Sequence, residues 1–135
     1  MLHHEGTKDT KVSADHLSYD IVGAAIDVHR QLGPGLLESA YEACLCRELF
    51  LREIAFERQV ALPLQYRGIS VDCGYRLDLI VGGLVVVEVK SASRVLPVHR
   101  AQCLTYLKLL GLNLGLIINF NVEMLRLGVH RIIMG

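Results

Sequence analysis

From Ser18 the chain takes on a helical period. Ile21, Ala24, Ala25, Val28 and Leu32 recur at helical spacing, and Gly33-Pro34 stops the run. Ser18 stands where an N-cap belongs. A second helix is predicted from Gly35 to about Glu53, with Leu37, Tyr41, Leu45, Leu49 and Phe50 as its stripe. The pattern then shortens to strands over residues 55–66, 69–81 and 84–90, the first two separated by the Arg67-Gly68 turn. Pro97 opens a third helix that Gly111 ends, and strands over 114–120 and 128–133 close the chain. The predicted order is ααβββαββ, a mixed sheet in an α/β (α+β) fold. Residues 1–16 are polar and without period. They predict an N-terminal tail ahead of a single domain over 17–135.

Hydrophobic residues form 52% of the 135, which argues against disorder for most of the chain. No apolar stretch approaches the roughly 18–20 residues that cross a bilayer, and the polar start lacks the apolar core of a signal peptide. Both point to a cytoplasmic protein with no membrane partner. Cys44, Cys46, Cys73 and Cys103 fit no compact metal-binding spacing and read as reduced thiols, with Cys44 and Cys46 on opposite sides of their helix. The net charge is zero but unevenly spread. From Glu88 onward six basic residues face two acidic ones, 6 − 2 = +4, so the first 87 residues carry −4.

One strand changes this picture. Leu84-Val-Val-Val-Glu88-Val-Lys90 is apolar enough to be buried on both faces, yet it ends in Glu-Val-Lys. Asp78 likewise interrupts the apolar Leu77-Asp-Leu-Ile-Val, ten positions before Glu88. Buried charges are costly unless paired or bound to a metal, so an Asp, a Glu and a Lys at one sheet end suit a divalent cation. Alone, Glu-x-Lys reads as a solvated ion pair. Glu38, in the first turn of the second helix, also suits simple helix-dipole stabilisation. Gln102 and Tyr106, four apart on the third helix, also read as the polar edge of an amphipathic helix. Register supplies a condition. A two-residue Gly82-Gly83 loop would put Asp78 opposite Val87 and turn Asp78 and Glu88 to different faces. A three-residue loop, 82–84, brings them to one face, and two glycines supply the left-handed backbone it needs.

Gly35-Leu-Leu-Glu38-Ser-Ala-Tyr41 reproduces a G-x-x-E-x-x-Y signature and resembles the small bacterial family named after it, assigned to the PD-(D/E)XK nuclease superfamily. The likeness extends through Glu57-Arg-Gln59, Asp72-Cys-Gly-Tyr-Arg-Leu-Asp78, Val87-Glu-Val-Lys90, His99-Arg-Ala-Gln102 to Tyr106, and Gly115-Leu-Ile-Ile-Asn-Phe-Asn121. The resemblance implies a restriction-endonuclease-like core and a nuclease that hydrolyses phosphodiesters with Mg²⁺ or Mn²⁺. Glu38, Asp78 and Glu88 would be metal ligands and Lys90 would assist the attacking water. Gln102 and Tyr106 would match a Q-x-x-x-Y element of one branch. Leu77 stands where the proline that names the superfamily would be. The partner implied is nucleic acid, DNA ahead of RNA, with a homodimer and a specificity-giving protein partner left open. The alternative is an inactive member of the same fold that binds nucleic acid or serves as a dimeric interaction module. His29, His99 and His130 are alternative bases, His99 at a helix start where a structural role is the commoner one.

Overall fold

The computed structural model describes residues 3–135, with side chains described from Ala14 onward. Helix α1 spans His3–Leu32 and α2 spans Glu38–Leu51. Strands β1 (Phe56–Ala61), β2 (Leu64–Tyr66), β3 (Ile69–Val71), β4 (Arg76–Val81) and β5 (Val85–Lys90) follow. Helix α3 (Pro97–Leu110), β6 (Leu114–Asn119), a 3-10 turn (Leu125–Gly128) and β7 (Val129–Ile133) complete the chain. Among the described residues no helix is long and apolar enough to cross a membrane.

Two differences from the sequence expectation have local causes. The expected strands over 55–66 and 69–81 are each divided. Pro63 cannot donate to a ladder, and Gly74, in the left-handed region, opens a bend that the Asp72 carboxylate closes on its N–H at 3.1 Å. The pieces β2 and β3 form a separate two-stranded sheet. Ser18 does not cap α1, because the helix begins at His3 and residues 7–17 hold no glycine or proline to stop it. The Ser18 hydroxyl instead donates to the Asp15 carbonyl and accepts from Arg131 of β7. The tail expected over 1–16 thus overlaps helical backbone from His3, and residues 1–2 lie outside the described residues.

The main sheet has the order β1-β4-β5-β6-β7. Only β5 and β6 run parallel, and α3 is the crossover between them. The two faces are covered unequally. On one, α1 and α2 pack Ile21, Ala24, Tyr41, Leu45 and Leu49 against Leu79, Val81, Val85, Val87, Val89 and Ile118. On the other, α3 packs Cys103 and Leu107 on Val86 and Ile117. Gly115 of β6 allows this closeness: a methyl group there would lie 2.6 Å from Cys103 Sγ. The stripe of α2 is Tyr41, Glu42, Leu45, Cys46 and Leu49. Leu37 and Phe50, expected in that stripe, are exposed, since α2 starts only at Glu38 and Phe50 falls on its outer side. Cys46 is buried and Cys44 exposed, on opposite sides as expected, and all four cysteines are free.

Candidate active site

The turn between β4 and β5 takes the odd register that the site requires. Val81 pairs with Val85, Ile80 with Val86 and Leu79 with Val87, leaving the three-residue loop 82–84. Gly82 and Gly83 hold φ of 59° and 70°, and the Leu84 N–H closes the turn on the Val81 carbonyl. One step further the same register sets Asp78 opposite Glu88.

At that step the paired ladder ends and the side chains take over its hydrogen bonds. The Asp78 N–H donates to Glu88 Oε2, and the Val89 N–H donates to Asp78 Oδ2, both at 2.8 Å. Each carboxylate thus accepts a backbone proton from the opposite strand in place of a ladder bond. Packing changes face at the same level. Leu79 belongs to the α1/α2 layer, while Leu77 packs with Ile80 and Tyr106 of α3. In β1, Phe56 packs with the former and Val60 with the latter, and between them Gln59 takes a positive φ of 53°.

Burial raises the Glu88 carboxyl to about 8, with the Asp78 charge adding to the rise and the Asp78 N–H and Lys90 opposing it. Asp78 is also raised, by burial first; the Val89 N–H lowers it and Glu42 raises it further. Two like charges share one half-buried site with too little cationic compensation.

A third carboxylate belongs to this neighbourhood, and the sequence reading missed it. Glu42 is 6% exposed on the buried stripe of α2. It accepts from Arg58 Nε at 2.7 Å and from Gln59 Nε2 at 3.1 and 3.0 Å, and Gln59 Nε2 also reaches Asp78 Oδ1 at 3.3 Å. The positive φ of Gln59 lets two successive β1 side chains serve the same carboxylate. With all groups ionised, Glu42, Asp78 and Glu88 against Arg58 and Lys90 leave 3 − 2 = 1 net negative charge. The one available signal was spacing: Glu42 follows Glu38 by four and precedes Leu45, Cys46 and Leu49 by three, four and seven.

The other expected residues divide. Lys90 is half-buried at the end of β5, and its charge acts on Asp78, Glu88, His99 and Cys103. Tyr106 is buried, its hydroxyl raised by burial and then by Glu88 and Asp78. Gln102 is exposed on the same face of α3, lining a cleft with Tyr106. Glu38 stands at the rim. Its Oε2 accepts from the Ser91 N–H at 3.4 Å, one residue beyond Lys90, and the Ser91 hydroxyl donates to the Leu36 carbonyl at 2.6 Å. Tyr41 fixes this loop from behind: its hydroxyl donates to the Gly33 carbonyl and accepts from the Leu36 N–H, and its ring stacks on Phe120 at 4.5 Å. The histidines are engaged elsewhere. His99 Nδ1 accepts the Leu96 N–H at the start of α3, His29 Nε2 meets the Val122 carbonyl, and His130 Nδ1 meets Arg100.

Among the described residues no three His, Cys, Asp or Glu side chains gather closely enough to hold a metal ion by themselves. The donor set still suits a hard cation. Mg²⁺ is usually held by one or two carboxylates, with waters and substrate phosphate filling the octahedron. Asp78 and Glu88 provide two carboxylates in a net-negative setting, and a cation beside them would offset the cost of burying their charge, which raises both.

A family model described as the PD-(D/E)XK nuclease superfamily matches residues 15–132, most of the chain. Searches of curated proteins and of solved structures found no match.

Proposed function

The chain belongs to the PD-(D/E)XK nuclease superfamily, and from that membership we propose that it is a divalent-cation-dependent nuclease with Asp78 and Glu88 as the metal-holding pair. The observation that carries the reading is the mutual engagement of those carboxylates where β4 and β5 part, with Lys90 two residues along. The superfamily's nucleases generally use divalent metals. Mg²⁺ or Mn²⁺ at this pair would supply positive charge against the phosphodiester and lower the pKa of a nearby water.

The chain's own residues do the rest. The Asp78 and Val89 N–H groups hold one oxygen of each carboxylate, so the pair is oriented before any ligand arrives. Gln59 and Glu42 brace Asp78 from the α2 side. Lys90 is the cation that offsets charge on the pentacoordinate phosphate and steadies the attacking water. The Tyr106 hydroxyl, raised above its usual value, stays protonated and remains a donor beside the carboxylates. Gln102 adds an amide on the same face. Glu38, held at the rim by the Ser91 N–H, would offer a further carboxylate near a cation at the pair. The signature around Glu38 and Tyr41 supports the narrower assignment to the G-x-x-E-x-x-Y family, with Tyr41 as the pin of that loop.

Nucleic acid is the partner of this reading, DNA ahead of RNA, and the free thiols suit a reducing, cytoplasmic setting. The test is cleavage of labelled DNA and RNA by purified protein with Mg²⁺ or Mn²⁺, comparing wild type with Asp78→Ala and Glu88→Ala. Metal-dependent cleavage lost in both variants supports the enzyme. Salt-sensitive binding without cleavage by wild type would favour a non-catalytic binding protein instead.

A further inference from the structure

The carboxylate pair has a neighbour of opposite character. Between α3 and the segment leading from Leu62 into β2 lies a cleft of about 180 Å³. Gln102, Thr105 and Tyr106 line it from α3, with Val98 nearer the helix start, and Leu62 and Tyr75 line it from the other side. No charged side chain is among its lining residues. Tyr75, just ahead of β4, is 46% exposed and Val98 is 57% exposed. Thr105 already donates its hydroxyl to the Ala101 carbonyl, which leaves the Gln102 amide, with the Tyr75 and Tyr106 hydroxyls, to meet an incoming ligand.

Tyr106 belongs to both places. Its hydroxyl is in the field of Glu88 and Asp78 on one side and of Tyr75 on the other. Tyr106 also packs on Leu77, the residue before Asp78, so the cleft borders the pair, and the two sort ligand chemistry. A phosphate is drawn to a cation at the pair and disfavoured in an uncharged slot bathed in carboxylate potential. A neutral, flat, aromatic group fits the slot: it can lie against the Tyr75 ring and meet the Gln102 amide with its edge.

We propose that this cleft takes one unpaired nucleobase of the nucleic acid whose backbone is cut at the carboxylate pair. The proposal rests on the nuclease reading and deepens it. A base inside a duplex has its edge paired and its faces stacked, so it must leave the helix to enter. The substrate is then single-stranded, frayed or gapped.

The test is fluorescence anisotropy with labelled single-stranded oligonucleotides and the matching blunt duplexes, using Ca²⁺ in place of Mg²⁺ to limit turnover. Wild type is expected to bind the single strand about ten-fold or more tighter than the duplex. Tyr75→Ala is expected to lose about ten-fold on the single strand and little on the duplex, the size of one base–aromatic stack. Tyr75→Phe, which keeps the ring, retains wild-type affinity, and Ala101→Trp, which fills the cleft, behaves like Tyr75→Ala. Far-UV circular dichroism checks that each variant is folded. Equal wild-type affinity for both strand forms, or an unchanged Tyr75→Ala, overturns the base-binding cleft while leaving the nuclease reading in place. Wild type that neither binds nor cuts any nucleic acid overturns both.

Discussion

The two faces of the sheet are built on opposite principles. Under α1 and α2 the residues meeting the sheet are mostly apolar and buried, with Glu42 of α2 the charged exception, and Val85, Val87 and Val89 of β5 serve that face alone. Under α3 the apolar clusters are small, and the same strand offers Val86, then Glu88, then Lys90. One face holds the fold together. The other gives up packing to keep charge, a cleft and an opening between strands. Residues two apart on one strand differ in consequence from residues one apart, because alternation separates the jobs.

The two faces differ most at the carboxylates. Asp78→Ala or Glu88→Ala is expected to reduce cleavage by about 10³-fold or more while leaving the unfolding midpoint within a few degrees, as initial rates and thermal melts would show. The mirror experiment is Leu45→Ala or Leu79→Ala on the dry face. Each is expected to cost about 2–5 kcal/mol in denaturant unfolding, with metal affinity unchanged in the protein that remains folded.

A third experiment tests the tension built into the charged face. A carboxyl whose folded pKa lies above its unfolded value binds its proton more tightly in the folded chain. Its contribution therefore falls as pH rises, here between about 4.5 and about 8 for Glu88, with Asp78 acting in the same direction. Without divalent cation, Glu88→Gln is expected to be more stable than wild type at pH 9 by about 1–3 kcal/mol and nearly equal to it at pH 5. Melts across that range check it, and a difference that shrinks with rising pH would contradict it. The smallest effect is expected from Gln59→Ala. Loss of the brace between Glu42 and Asp78 should weaken metal binding about ten-fold, measured by titration, with little change in stability.

Much of this was legible in the sequence because it depends on short-range rules. The parity argument at Gly82-Gly83 needs only alternation and turn chemistry, and the hairpin obeys it. Helix α3 falls between Pro97 and Gly111 because those residues set its ends locally. Glu42 was not legible in that way. A glutamate beside Tyr41 looks like helix surface until Arg58 and Gln59 arrive from a strand sixteen and seventeen residues later. The positive φ of Gln59 has no residue-type signal either, since neither glycine nor asparagine marks it. The start of α1 was missed for a related reason: its first turns carry no apolar period, and beyond Gly6 no glycine or proline stops the helix before Ser18.

A cation site at Asp78 and Glu88, held short of its charge, is open to calorimetric titration of Mg²⁺ and Mn²⁺ into wild type and Glu88→Gln at pH 7, in two buffers of different ionisation enthalpy. With Glu88 raised to about 8, the pair still holds a proton at that pH which the cation must displace. Wild type is expected to bind either cation with release of up to one proton, and Glu88→Gln to bind at least about ten-fold more weakly with no proton released. Equal binding by the two proteins, or no binding by wild type, would contradict the account.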